Sequence, residues 1–154
     1  MKTRRVTRAA DLADLAGTVL CHDVGNATNG THLRKGQVLG AADVKKLGGV
    51  AWNELHVIEL EPGELPEHEA GSRLADAAAG DGVVVRSETG GHWPLASTRR
   101  GILDVPLDVL RRARRRDGVS VYTLFGGQIV DAEEQVAQVK IIPFVLDARI
   151  VDEA

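Results

Sequence analysis

Gln135 to Leu146, which reads Gln-Val-Ala-Gln-Val-Lys-Ile-Ile-Pro-Phe-Val-Leu, is the longest strand candidate in this chain of 154 residues. Its apolar and β-branched residues predict a β-strand. Pro143 has no backbone N–H to donate, so we expect this strand to bend or to lie at a sheet edge at that point. The stretch therefore predicts a domain built around β-structure.

The segments before this stretch are short strand candidates separated by glycine-containing turns. We predict strands over 83–87, 93–96, 101–105 and 119–125, and a helix over 106–116. Many short strands with few helices are typical of a compact, β-rich lobe.

A longer helix is predicted to begin at Pro66, because proline is favoured in the first helical turn. Glu67 and Glu69 suit the positive end of the helix dipole, and Gly80 ends the helix. The small apolar residues of this helix predict close packing onto a sheet: Ala70, Leu74, Ala77 and Ala78.

The first part of the chain has a simpler pattern. We predict helices over 8–16 and 42–47, and strands over 18–24, 37–39 and 55–60. The predicted fold class is α/β of the α+β kind, rich in β-structure.

Composition excludes several classes of protein. The net charge of -3 gives no overall attraction to nucleic acid or to anionic membrane, and the apolar runs are too short to span a bilayer. Cys21 is the single cysteine, so the fold has no internal disulfide. No signal peptide is recognisable, which predicts a cytoplasmic protein.

We expect the aromatic residues to do much of the bulky packing: Trp52, Trp93, Tyr122, Phe125 and Phe144.

Four stretches carry a resemblance to a known family. They are Gly17-Thr-Val-Leu-Cys-His-Asp-Val24, Leu33-Arg-Lys-Gly-Gln-Val-Leu39, residues 60–75 and residues 136–143. In this order they resemble the N-terminal region of bacterial molybdopterin-binding proteins related to molybdenum-insertion enzymes. The second half also looks like the β-clip lobe called the SAF domain. The resemblance implies an N-terminal strand and helix segment over 1–62 and a β-clip lobe over 63–154, packed as one unit.

The chain departs from the family in ways that affect the expected ligand. In the family a larger domain follows and binds the pterin, and its glycine-rich loops have no counterpart here. Molybdopterin is therefore implied by the resemblance alone, and no cofactor is assigned. His68 and Gly71 also differ from the family pattern, which has an acidic run and then an Ala-Ala pair.

The candidate catalytic residues are His22, Asp23, Glu69 and Lys140. An imidazole beside a carboxylate can serve as a general acid or base. Adjacent strand residues point to opposite faces, so Asp23 could instead cap a turn while His22 packs as a polar residue.

The candidate ligand-binding residues are Lys35, Glu67, Arg73 and Thr123, the last of which falls at a place expected from the resemblance. Lys35, like Lys140, could anchor a carboxylate or phosphate. A salt bridge from Lys140 to Glu67 or Glu69 is the structural alternative. Glu69 and Arg73 have the i, i+4 spacing of a helix-stabilising pair. A polar pocket would form if this pair faced His22 and Lys140.

Two further features have structural alternatives. Cys21 beside His22 could be a nucleophile, although a lone cysteine in an apolar strand is more often part of a core. The histidines lack zinc-ligand spacing, so no metal site is predicted. The arginines between 111 and 116 could contact nucleic acid, but the overall acidic balance and the lack of a known binding module favour a solvated helix face.

Three functions follow from these features. The first is a small-molecule-binding or accessory domain of the molybdopterin-associated type that acts with a partner protein and forms a homo-oligomer. The second is a small stand-alone enzyme with lyase, cyclase or isomerase chemistry. The third, and least favoured, is a nucleic-acid-binding module. No membrane partner is expected.

Overall fold

The computed structural model describes residues 1–8, 12–26 and 31–154. Strands account for 34% and helices for 26% of the structure, which confirms a mixed α+β fold with several small sheets. The chain divides into two compact units, an N-terminal unit (Met1–Pro66) and a C-terminal unit (Glu67–Ala154). The sequence places the corresponding boundary after residue 62.

The N-terminal unit is built on a short antiparallel sheet. Its described elements, in order, are β1 (Lys2–Thr7), a 3-10 turn (Leu12–Leu15), β2 (Val19–Leu20), β3 (Val24–Asn26), β4 (Thr31–Leu33), α1 (Ala41–Gly49), β5 (Glu54–Glu59) and β6 (Glu64–Pro66). Strand β5 lies between β1 and β2, and β3 pairs with β4 as a separate hairpin. Leu55 and Val57 of β5 are buried with Leu15, Leu20 and Leu47 in the core of this unit.

Strand β1 is not predicted by the sequence, which there shows only a basic start. The strand forms because its cations face acidic residues on β5 and because Val6 is buried. Arg5 Nε lies 2.6 Å from a Glu54 carboxylate oxygen, and Lys2 Nζ lies 3.0 Å from one of Glu59. The helix predicted over 8–16 is found only as the 3-10 turn, and its residues 9–11 lie outside the described part of the chain.

The C-terminal unit is built around a four-stranded antiparallel sheet. Its elements, in order, are α2 (Glu67–Ala78), β7 (Val83–Val85), β8 (His92–Ser97), β9 (Gly101–Ile102), α3 (Leu107–Ala113), β10 (Val119–Thr123), β11 (Ile129–Val130), β12 (Gln135–Ile141), β13 (Val145–Asp147) and α4 (Ala148–Asp152). The sheet order is β10-β12-β8-β7, and β9 with β11 forms a separate two-stranded ribbon. Strand β12 thus has a neighbouring strand on each side.

Strand β12 ends at Ile141 because of Pro143, as the missing N–H predicts. The chain continues as the separate short strand β13, so the single strand predicted over 135–146 is wrong in its length. Helix α2 begins at Glu67, one residue after the predicted proline. The other predicted strands of this unit exist with shifted ends, and β9 is much shorter than predicted.

Helix α2 packs on one face of the four-stranded sheet through a glycine. Gly71 is buried, and a Cβ there would lie 2.5 Å from Cζ2 of the Trp93 ring and closer still to two other ring carbons. A glycine at position 71 therefore has a physical reason, since the bulky Trp93 ring occupies the space of a side chain there.

The aromatic residues fall into three groups, one of which is Phe144 alone, which is half-buried. Trp52 and Trp93 are buried, as expected. Tyr122 is 61% exposed and Phe125 is 87% exposed, so the prediction that both pack in the core is wrong. Tyr122 lies on an outer strand of the sheet and Phe125 at a turn, where no element of the described unit covers them. None of the described helices is both long enough and apolar enough to cross a membrane.

Candidate functional site

His22 is held by the backbone of the N-terminal unit. Its Nε2 accepts the His56 backbone N–H at 3.2 Å, and its Nδ1 lies 3.2 Å from the Asp23 carbonyl oxygen. Both ring nitrogens are therefore satisfied in the neutral form that carries its proton on Nδ1, an assignment made from the bonding pattern. The hydrogen bonds of the ring go to backbone groups and the contacts of the Asp23 carboxylate are with Lys35 and His32, so the pair matches the turn interpretation.

Asp23 caps the loop that follows β4. Its carboxylate accepts the backbone N–H of Lys35 at 2.7 Å and lies 3.7 Å from His32 Nε2. The hydrogen bond from Lys35, and then the positive charge of His32, lower the pKa of Asp23 below its ordinary value. Lys35 thus contributes its backbone here, and an anchoring role for its ammonium remains a prediction.

Cys21 follows β2 and donates its backbone N–H to the His56 carbonyl oxygen at 2.9 Å. Burial raises the pKa of its thiol. Because the thiolate is the nucleophilic form, this environment favours an inert cysteine over a catalytic one.

Lys140 contacts a histidine in the C-terminal unit. Its Nζ lies 3.3 Å from His92 Nε2, and Gln138 Nε2 lies 2.6 Å from His92 Nδ1. The antiparallel register places Ser120, Lys140 and His92 in one row across β10, β12 and β8. Because Trp93 faces α2, the neighbouring His92 points to the opposite face of the sheet.

A salt bridge from Lys140 to Glu69, one of the two carboxylates predicted as its partner, is not found among the ion pairs of the described residues. Lys140 points away from the face on which α2 lies, and its side chain is half-buried beside an imidazole instead. Glu69 is already paired with Arg73, whose Nη2 donates to it at 2.5 Å. The predicted i, i+4 pair is thus confirmed, and Glu69 and Lys140 do not form a pair.

The C-terminal unit contains a cavity of about 550 Å³ on the α2 face of its sheet. The buried side chains of Leu95, Val130 and Val136 supply apolar lining. Thr123 lines the same cavity, because its register partner is Ala137 and both project to the Leu95 face. Thr123 is the one predicted site residue in this lining. The remaining lining side chains with polar groups are Asp81, Ser97, Arg99 and Asp104.

Arg99 is the cationic side chain of this lining, which lies wholly within described residues. Ser97 is buried, and its hydroxyl donates to the Arg99 carbonyl oxygen at 2.5 Å and accepts the Arg99 N–H at 3.3 Å. The Arg99 guanidinium lies 2.6 Å from Asp81. A buried serine therefore fixes the backbone that carries the cation.

Sequence reasoning missed key residues of the cavity lining and the histidine that contacts Lys140. Asp81 and Arg99 lie in turns next to short strands, and Ser97 is the last residue of β8, where pairing partners are distant in sequence. The sequence predicts that His92 lies in a Gly90-Gly91-His92 loop, whereas it is the first residue of β8. The alternation of β8 and β12 could have placed it beside Lys140 once their register was known. His22, Asp23 and Lys35 lie in the N-terminal unit, whereas Glu67, Glu69, Arg73, Thr123 and Lys140 lie in the C-terminal unit.

Acidic side chains pair with part of the arginine cluster between 111 and 116. Within the arginine cluster, Arg112 pairs with Asp108 at 3.3 Å and Arg116 pairs with Glu153 at 2.9 Å. Such pairs reduce the charge that α3 offers to a phosphate backbone, and nucleic-acid binding stays a prediction.

Among the described residues no group of three His, Cys, Asp or Glu side chains is arranged to hold a metal ion.

Comparison with known proteins gives one match. A family model described as "Domain of unknown function (DUF8806)" matches residues 9–59. The matched region lies within the N-terminal unit and leaves the cavity outside it. No curated protein and no solved structure matches the chain.

Proposed function

We propose that the chain is a small-molecule-binding or accessory domain of the molybdopterin-associated type, and that it acts together with a partner protein. The observation that carries the proposal is the cavity of about 550 Å³ in the C-terminal unit. Ligand sites in proteins are typically concave, mostly apolar and supplied with a few polar groups. Leu95 and Val136 provide the apolar surface here, and Arg99, Asp81 and Thr123 provide the polar groups.

The molybdopterin-associated part of the proposal rests on the four resembling stretches of sequence. The cavity supports a bound small molecule of some kind, and it gives no reason to choose a pterin. Homo-oligomerisation is likewise a proposal, and the exposed side chains of Ile102, Phe125 and Ile129 are consistent with a surface that a partner covers.

The binding proposal can be tested with an apolar fluorescent probe. N-phenyl-1-naphthylamine is uncharged and becomes brighter when water is excluded from it, so it should bind in the cavity. Ala78 lines the cavity from an exposed position on α2, and Ala78→Phe should fill part of the space and weaken probe binding about tenfold or more.

The matched control is Ala42→Phe, which makes the same change at an exposed position of α1, in the other unit. The control should bind the probe as the wild type does, with both variants folded by circular dichroism. Equal probe affinity in the wild type and Ala78→Phe would mean that the cavity is not the binding site.

A second candidate function is acid–base catalysis, favoured by the direct contact of Lys140 with His92. An ammonium has donors only, so in this contact Lys140 Nζ donates and His92 Nε2 accepts. The larger catalytic set predicted from the sequence stays a prediction; in the structure Glu69 is bound to Arg73 and His22 to the backbone. Lys140→Met should then abolish turnover of a metabolite mixture followed by mass spectrometry, whereas Lys45→Met should not. Lack of any turnover by the wild type would contradict this alternative.

A further inference from the structure

We propose that the cavity of the C-terminal unit selects a small organic monoacid, whose carboxylate or phosphate takes the place of Asp81 on the Arg99 guanidinium. This inference rests on the proposed binding function of the cavity and names the chemical class of its ligand. It follows from how Arg99 is held, from how weakly Asp81 holds it, and from the surfaces around both.

Arg99 is positioned by its own unit before any ligand arrives. Its backbone is bound on both sides to the buried Ser97 hydroxyl. Thr98 donates its backbone N–H to the Gly82 carbonyl oxygen at 2.8 Å and its hydroxyl to the same oxygen at 3.2 Å. Gly82 has φ +76°, and a Cβ there would lie 3.2 Å from the guanidinium carbon. The side chain thus lies close against a glycine backbone, and a positioned cation loses little freedom on binding.

Asp81 is a weak partner for this cation. Its side chain is 88% exposed and that of Arg99 is 64% exposed, and ion pairs so accessible to water contribute little to stability. A ligand carboxylate or phosphate delivered from the cavity would be less accessible to water. Arginine binds such groups through two parallel hydrogen bonds, which are stronger than ordinary ones. Exchange of Asp81 for the ligand is therefore favourable.

The rest of the lining limits the ligand further. The lining favours a ligand whose main part is apolar, because it includes the buried apolar side chains of Leu95, Val130 and Val136. Asp104 is the second carboxylate of the lining and belongs to none of the ion pairs of the described residues. It repels a second acidic group, so a monoacid fits this cavity better than a diacid.

The test compares two probes with similar apolar bodies. 1-Anilinonaphthalene-8-sulfonate carries one anionic group, and N-phenyl-1-naphthylamine lacks it. Arg99→Gln should weaken the anionic probe about tenfold and leave the neutral probe unchanged. Asp81→Asn removes the competing carboxylate and should strengthen the anionic probe severalfold. Arg100→Gln is the matched control, because Arg100 is adjacent in sequence but faces Asp131 and does not line the cavity.

The outcomes separate this inference from the binding function on which it rests. If neither probe responds to Ala78→Phe, the cavity binds nothing and both ideas fail. If Ala78→Phe weakens both probes while Arg99→Gln changes neither, the binding function stands and the monoacid inference is wrong. Weaker binding of the anionic probe by Asp81→Asn, or an equal loss with Arg100→Gln, would also overturn the inference.

Discussion

Replacing Gly71 with alanine tests how helix α2 is seated on its sheet. The residue is buried and helical, and the space beside it is occupied by the six-membered part of the Trp93 indole. A Cβ would lie 2.5 Å or less from three ring carbons, which is a separation that real Cβ atoms essentially never show. Either the ring or the helix must move to accept a single methyl group.

The expected size of the effect combines two opposing contributions. Overpacking a well-packed core costs about 1–3 kcal/mol, and the rigid ring places this site toward the upper end. Alanine is a better helix former than glycine by about 1 kcal/mol, which offsets part of that cost. The net loss in the free energy of unfolding should be about 1–2 kcal/mol. For a chain of this size this corresponds to a decrease in Tm of roughly 2–8 °C.

The assay is urea denaturation followed by circular dichroism, with Gly48→Ala as the matched control. Gly48 is also helical, and a Cβ there meets nothing within 4 Å. The same substitution should therefore stabilise the protein at this position, by about 0.4–1 kcal/mol. The two variants are predicted to change the free energy of unfolding in opposite directions.

A double-mutant cycle with Trp93→Phe assigns the cost to the named contact. Phenylalanine lacks the outer ring atoms that the new Cβ would meet, so Gly71→Ala should be nearly neutral or stabilising in the Trp93→Phe background. If Gly71→Ala instead stabilises the wild type as Gly48→Ala does, or if its cost is the same in both backgrounds, the packing argument is refuted.

Three further predictions concern the N-terminal unit. The Lys35 N–H lowers the pKa of Asp23 in the folded state, so the Asp23 carboxylate should stabilise the protein at neutral pH and lose this effect as the pH falls below about 4. Asp23→Asn should flatten this part of a curve of Tm against pH. An unchanged curve would contradict the stabilising role of the carboxylate. The raised pKa of Cys21 should make its alkylation by iodoacetamide at pH 7.5 slower in the native protein than in urea, and an equal or faster native rate would indicate an activated thiol. Trp52→Phe removes the 2.9 Å hydrogen bond from the indole N–H to the Leu47 carbonyl oxygen and leaves that oxygen only the Val50 N–H at 3.4 Å. It should cost about 1 kcal/mol in urea denaturation, and an unchanged free energy of unfolding would contradict a stabilising role for this bond.

Local chemistry in the sequence was enough to predict much of the secondary structure. The strand around Val139 and Ile141, the α2 helix with its Glu69–Arg73 pair, and the effect of Pro143 all depend on residues close together in the chain. Neighbouring residues decide periodicity, helix spacing and the loss of a backbone donor. These features could therefore be read without knowing what packs against them.

Only the tertiary structure decided the surroundings of each candidate side chain. Lys140 lies beside His92 because strands β8 and β12 pair in one particular register, and Thr123 reaches a cavity because Ala137 is its partner across the sheet. Strand register joins residues more than ten positions apart, and a shift by one residue would turn every side chain to the other face. For the same reason sequence alone could not show that Arg99 meets Asp81, or that Trp93 requires a glycine at position 71.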